Sequence, residues 1–293
     1  MSETSAPLRI GEDPPAPPFD LDAYLHRIGY PGAREPTAAA LRDVHLAHAS
    51  AVPFENLDIQ MGRLPIRLDL DSLQAKLVGD RRGGYCFEQN TLFAAALEAL
   101  GFRVTRLAAR VRMGRSEPVP RTHMLLRVEV EDAGGDDAGG PAFLADVGFG
   151  GDGLLLPVPM RSGAVAEQFA WTYRLVDEPP FLVLQSLHGA RWMDLYAFTL
   201  EPHHSVDFEV ANHYTSTHPD SGFLRAITVQ LPGPEFRLIL RNRKLIENRP
   251  DGEHAIRIED DEELVRVIGD RFGIDLPPGT RFRALAGREP EPD

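Results

Sequence analysis

A chain of 293 residues with 43% apolar content is long enough to bury a sizeable core and to hold two or three subdomains. One cysteine excludes an internal disulfide, and a formal net charge of -13 argues against a nucleic-acid partner, because a polyanion needs a basic face. The N-terminus shows no charged and then apolar signal pattern, and no apolar run approaches the ~18 residues of a membrane span, so a cytoplasmic chain with no membrane partner is expected.

Residues 1–18, rich in proline and polar side chains, read as a flexible leader, and the folded part is expected to open at Phe19. Segments 19–28, 36–49 and 70–79 carry helix-type periodicity, with Asp71 or Ser72 as the cap of the last. Between the second and third, Ala51-Val52-Pro53-Phe54-Glu55-Asn56-Leu57-Asp58 is broken by proline and cannot be helical throughout. An exposed loop needs neither Phe54 nor the Glu55-Asn56 pair, so this stretch reads as a packed loop or a pocket wall.

The only cysteine lies in Arg82-Gly83-Gly84-Tyr85-Cys86-Phe87-Glu88-Gln89-Asn90, where a polar, glycine-rich turn becomes a helix. Apolar residues recur at Phe87, Leu92, Phe93, Ala96, Leu97 and Leu100, and Gly101 closes the run. Cys86 therefore stands at or just before a helix N-terminus, where unpaired backbone N–H groups and the positive end of the helix dipole favour a thiolate. A lone cysteine is otherwise most often a small buried hydrophobe, so a nucleophile needs a base and an orienting carboxylate elsewhere in the chain. With the earlier segments, this helix makes the first ~100 residues a helical bundle.

After Gly101 the period changes from 3.6 to 2, and segments 102–112, 122–131, 141–149, 181–187 and 190–196 read as strands of a sheet or barrel. The last third mixes a strand at 236–246 with a helix at 260–272, entered through Glu259-Asp260-Asp261-Glu262-Glu263. Two residues are out of place in the strands: His123 opens one, and Asp146 interrupts the apolar Ala142-Phe143-Leu144-Ala145. An aspartate in such a strand costs several kcal/mol unless it is hydrogen-bonded or paired, and orienting a histidine would satisfy it. A hairpin centred on Gly134-Gly135 sets His123 directly across from Asp146, and a longer loop shifts that register.

Taken in chain order, Pro53-Phe54-Glu55-Asn56, the block around Cys86, Thr122-His123, Ala145-Asp146-Val147-Gly148-Phe149-Gly150-Gly151 and Ser216-Thr217-His218-Pro219-Asp220-Ser221-Gly222-Phe223 resemble the arylamine N-acetyltransferases. The resemblance implies an α+β multidomain fold, with a helical bundle over 19–104, a β-barrel over 105–215 and an α/β lid with its tail over 216–293. A Cys-His-Asp triad of cysteine-protease geometry would lie between the first two. It further implies Cys86 as acetyl acceptor, His123 as its base, Asp146 as orienter and an ion pair between Arg82 and Glu55 in support. Phe149, Gly150 and Phe223 match positions at the coenzyme cleft, and Phe54 and Val111 match positions in the substrate pocket. The implied reaction acetylates an arylamine or hydrazine, as in xenobiotic metabolism, with acetyl-CoA as co-substrate and no permanently bound cofactor. Its course would be ping-pong through an acetyl-cysteine.

Two features depart from the family pattern: the 132–140 turn is longer and richer in glycine, and Gly222 stands where bacterial members often carry a larger residue. The same triad would also serve an amide synthase that closes a macrolactam from a polyketide-type acyl chain, or a cysteine hydrolase. A coenzyme-binding protein without catalysis is disfavoured because all three triad members are present.

Two other motifs lead elsewhere. Gly148-Phe149-Gly150-Gly151-Asp152-Gly153 satisfies G-x-G-x-x-G, but Leu154-Leu155-Leu156-Pro157-Val158-Pro159 cannot supply the helix that would hold a pyrophosphate, and Asp152 would repel one. His203, His204, His213 and His218, with Asp207, match no zinc spacing, so no metal is expected and these read as solvated or packing histidines.

Overall fold

The computed structural model describes residues 19–115, 117–130 and 141–285. The expected leader over 1–18, the glycine-rich 132–140 turn and the end of the tail lie outside that description. The first third holds α1 (Leu21–Ile28), α2 (Ala38–Ala51), β1 (Phe54–Glu55), α3 (Leu57–Met61), α4 (Leu70–Leu73) and α5 (Cys86–Ala99), with α4 running on as a π-helical turn over Gln74–Gly79. Local chemistry sets the starts: Asp20 Oδ1 accepts from Ala23 N at 2.9 Å and Thr37 Oγ1 accepts from Ala40 N at 3.2 Å. The cap of α4 is Asp69 rather than Asp71 or Ser72. Its backbone is extended, and its Oδ1 accepts from Ser72 N at 3.0 Å.

The middle third is one antiparallel sheet of β2 (Arg103–Val111), β3 (Arg121–Glu129), β4 (Ala142–Ala145), β5 (Val158–Pro159), β6 (Val165–Gln168), β7 (Trp171–Glu178), β8 (Phe181–His188) and β9 (Arg191–Phe198). In the order β5-β4-β3-β2-β9-β8-β7-β6, it curls into a nearly closed barrel. The seam is bridged by Gln168, whose Oε1 accepts from Leu155 N and Leu156 N, both at 2.9 Å, and whose Nε2 donates to Leu156 O at 2.7 Å. The β3–β4 register pairs Leu126 with Ala145, displaced by two residues from the expected one, so His123 and Asp146 are not cross-strand partners. Asp146 instead sits just past the end of β4. The two side chains therefore meet by a different route.

The last third holds α6 (Ser205–Thr217), α7 (Gly222–Arg225), β10 (Thr228–Pro232), β11 (Arg237–Arg241), β12 (Lys244–Arg249), β13 (Gly252–Arg257) and α8 (Asp261–Phe272). The single strand expected over 236–246 is a hairpin of β11 and β12, turned at Asn242 with φ 51°. This sheet runs β1-β10-β11-β12-β13, so β1, from the helical part, pairs with β10 through Phe54↔Gln230 and Glu55↔Val229. Three apolar clusters lie under these layers. One packs α1, α2 and α5 on β3, one fills the barrel, and one lies between the second sheet and α8. Among the described residues, no helix is long and apolar enough to cross a membrane.

Candidate active site

Cys86 is the first residue of α5, and its position depends on two glycines that let backbone approach backbone. A Cβ on Gly83 would fall 2.0 Å from Pro53 O, and one on Gly148 would fall 2.7 Å from Cys86 Cα. The turn before Cys86 lies against β1: Glu55 N donates to Gly84 O at 3.0 Å and Gly84 N to Pro53 O at 3.3 Å. Gln89 Nε2 donates to the same two carbonyls, Gly84 O at 2.8 Å and Pro53 O at 3.2 Å. Its Oε1 faces His48 Nε2 at 3.2 Å, and His48 Nδ1 faces Tyr24 Oη at 2.7 Å. The chain Tyr24-His48-Gln89 thus pins the turn from behind.

Charge holds the other flank. Arg82 donates from Nη2 and Nε to Glu55 Oε1 at 2.7 and 3.1 Å, and from Nη2 to Asp58 Oδ1 at 3.2 Å, so the expected Arg82–Glu55 pair is formed. Glu55 Oε2 accepts from Leu57 N at 2.6 Å, which satisfies a carboxylate with no exposure. Glu88 Oε2 accepts from Tyr85 N at 3.1 Å, and Lys76 Nζ reaches Glu88 Oε1 at 2.6 Å and Asp58 Oδ2 at 2.7 Å.

Facing Cys86 is β3. The thiol points at Thr122 O across 3.6 Å, and His123 follows, buried under Phe149 and Tyr196 with ring centroids 5.1 and 4.9 Å away. His123 Nε2 bonds Asp146 Oδ2 at 2.7 Å, which leaves Nδ1 as the free ring nitrogen for Cys86. Asp146 Oδ1 accepts from Asn90 Nδ2 at 2.9 Å and from Gly148 N at 3.0 Å. Burial alone would lower the His123 imidazole. The charge and hydrogen bond of Asp146, and after them the hydrogen bond and charge of Cys86, lift it to about 10. Burial pushes the Asp146 carboxyl up, but His123, Asn90 and Gly148 N–H together hold it below the ordinary aspartate value.

The expected cleft residues gather around this group. Phe149 is half-buried and stands edge-on to His123, and Val111 ends β2 opposite Tyr196. Phe54 and Tyr85 flank Phe223 at 6.0 and 5.6 Å between ring centroids. Gly150 has φ 90°, and a Cβ there would meet Gln230 Oε1 at 2.2 Å, the oxygen that accepts from Gly151 N at 2.5 Å. The segment after it runs through Leu154–Leu156 to β5 and forms no helix, so the G-x-G-x-x-G string lacks the helix N-terminus that a pyrophosphate would need. The late histidines have local partners of their own: His218 stacks on Tyr214, and His203 Nδ1 bonds Glu201 O at 2.9 Å. Among the described residues, no group of three His, Cys, Asp or Glu is placed to hold a metal ion.

Several contributors carry no mark in the sequence. Asn90 ties Asp146 to Met124 O, donating to the latter at 2.8 Å, and Tyr196 lies beside the Asp146 carboxylate with burial pushing its phenol well above its ordinary value. The one usable signal was two histidines three residues apart, His45 and His48, within an otherwise apolar stretch of α2.

Comparison with known proteins agrees with this fold. A family model described as N-acetyltransferase matches residues 37–281, which is most of the chain, and defines the molecule as an acyltransferase. A relative from Mycobacterium tuberculosis named arylamine N-acetyltransferase is 38% identical over 285 residues, covering 94% of this chain and 99% of that protein. One from Mycolicibacterium smegmatis with the same name is 39% identical and covers 92% and 95%. The chain belongs to the arylamine N-acetyltransferase family. Among solved structures, the M. tuberculosis enzyme superimposes with a TM-score of 0.82 at 40% identity, covering 87% of this chain and 94% of that one. The Mycobacterium marinum enzyme in complex with CoA gives 0.82 at 40%, covering 87% and 93%.

Proposed function

We propose that this enzyme transfers an acetyl group from acetyl-CoA to the nitrogen of an arylamine or hydrazine in two half-reactions through acetyl-Cys86. The observation that carries the reading is the buried His123–Asp146 bond of 2.7 Å with Cys86 on the other side of the imidazole. His123 takes the Cys86 proton, the thiolate adds to the thioester carbonyl, and the carbon–sulfur bond to coenzyme A breaks as His123 returns that proton to the leaving thiolate. The amine then adds to acetyl-Cys86, His123 takes a proton from its nitrogen, and Cys86 leaves and is reprotonated. Cys86 N–H heads α5, where no intrahelical carbonyl reaches it, and is one donor suited to the transient oxyanion.

Acetyl-CoA as donor is supported by the relative solved with CoA, and an aromatic amine as acceptor by the names of the relatives, by the Phe54–Phe223 ring pair and by Phe149 edge-on to His123. The test is mass spectrometry after mixing with acetyl-CoA alone. One acetyl group is expected on the Cys86 peptide, discharged by an arylamine, with parallel double-reciprocal plots and no turnover in Cys86→Ala. Intersecting lines without an acetylated peptide would mean direct transfer in a ternary complex. Rapid release of acetate without an amine would mean a hydrolase.

A further inference from the structure

His45 stands on α2 with no exposed surface, its ring edge-on to Phe93 at 5.6 Å between centroids. Its Nδ1 lies 3.0 Å from Leu155 O and its Nε2 lies 3.1 Å from Asp146 N. A carbonyl oxygen only accepts and a backbone amide only donates, so both bonds form in one state alone: a neutral imidazole with its proton on Nδ1 and its lone pair on Nε2. Burial favours that neutral state, holding the group down to about 4, although Asp146 opposes it; His48, on the same helix, is held neutral by burial as well. The two bonds grip both ends of the segment from Asp146 to Leu155, which contains Gly148, Phe149 and Gly150. At its near end, the Asp146 carboxylate aims Oδ2 at His123 and receives Gly148 N on Oδ1.

We infer that His45 is a positioning residue of the acyl-transfer site: as a neutral Nδ1–H tautomer, it fixes the backbone of Asp146 and thereby the aim of its carboxylate on His123. This inference rests on the triad reading above. The aim of a carboxylate bonded at 2.7 Å depends on the Cα that carries it, and Asp146 lies past the last paired residue of β4, beyond the reach of the sheet ladder. His45 supplies from a helix the acceptor that the missing ladder bond would have provided.

Glutamine and asparagine separate the two bonds, because a glutamine oxygen can reach the place of Nε2 and an asparagine nitrogen the place of Nδ1. The rate at which iodoacetamide alkylates Cys86 at neutral pH reads the His123–Cys86 couple without a need for substrate. His45→Gln is expected to stay close to the parent, while His45→Asn and His45→Phe lose about 10- to 100-fold in alkylation and in kcat with little change in KM. In an Asp146→Asn background, whose backbone N–H is intact, His45→Asn is expected to add nothing further. Long-range proton–nitrogen spectra of the unsubstituted enzyme should show His45 neutral and protonated at Nδ1, a readout that needs no variant to fold. Equal losses in the Gln and Asn variants, additivity with Asp146→Asn, or an Nε2–H tautomer would each overturn the inference. Unchanged alkylation in Asp146→Asn alone would overturn the triad reading itself, and this inference with it.

Discussion

An aspartate sealed from water stays ionised only if each oxygen has partners, and Asp146 meets that demand with His123 on one oxygen and with Asn90 and Gly148 N–H on the other. Asp146→Asn keeps the shape and two of these bonds but presents an amide to His123, which favours the wrong tautomer. The expected result is a folded enzyme slowed by about 10⁴-fold. A loss of less than about tenfold in kcat/KM would make Asp146 a structural residue only. Cys86, His123 and Asp146 were legible in the chain because each is chemically odd for the element that carries it. Asn90 and Tyr196 were not, since Asn90 is one of four polar residues in a row, Glu88 to Thr91, and a tyrosine is ordinary in a strand, so neither shows its partner until distant segments have packed.

At the scale of the element, α2 carries two histidines that fold neutral. Unfolded, each titrates near 6.5; folded, burial holds His45 at about 4 and His48 at about 3. The unfolded chain therefore binds more protons as pH falls below 6.5, so the stabilisation is whole above that value and drains as pH drops toward the folded values. The loss expected by pH 4 is on the order of 3 kcal/mol per histidine. Burial lifts the Glu88 carboxyl to about 7, which opposes this fall over the same range, so the histidine share is read as a shallower fall of the urea midpoint in His48→Gln than in the parent between neutral and mildly acid pH. A fall of equal slope in the parent and in His48→Gln would contradict burial of His48 as a neutral ring.

Two glycines mark the contrast between a packed and an open turn. Gly148→Ala drives a Cβ to 2.7 Å from Cys86 Cα and should cost about 1–3 kcal/mol of stability and most of the activity, whereas Gly222→Ala meets nothing within 4 Å. Gly222→Ala should therefore leave melting temperature unchanged or slightly raised, and a loss comparable to that of Gly148→Ala would show α7 to be packed more closely. Periodicity made α8 readable and the Gly101 stop marked the end of α5, which is buried on nearly every face. The β11–β12 turn was not readable, because Arg241-Asn242-Arg243-Lys244 lacks the glycine that announces a hairpin and Asn242 takes the positive φ itself, its Oδ1 accepting from Ile227 N at 3.0 Å.

Across the whole molecule, Arg237 joins the second sheet to the barrel. It is 1% exposed, its guanidinium lies 4.2 Å from the Trp171 ring centre, and its Nη2 donates to Gly153 O at 3.2 Å and to Tyr173 Oη. Trp171 Nε1 answers by donating to Gly233 O at 3.2 Å. Arg237→Met removes the clasp on the end of the glycine loop without touching the triad. KM for acetyl-CoA is expected to rise about tenfold while Cys86 alkylation is unchanged, and the reverse pattern would show that the clasp supports the nucleophile instead. The order of helices, then strands, then a mixed unit could be read from the change of period, but the pairing of β1 with β10 could not, because two residues carry no periodicity. That pairing has a consequence for synthesis on the ribosome. The turn before Cys86 leans on β1, and the far edge of β1 is open until residues 228–232 have left the exit tunnel. A nascent chain that already carries Cys86, His123 and Asp146 but is stalled before Thr228 would hold its cysteine beside an unfinished sheet edge.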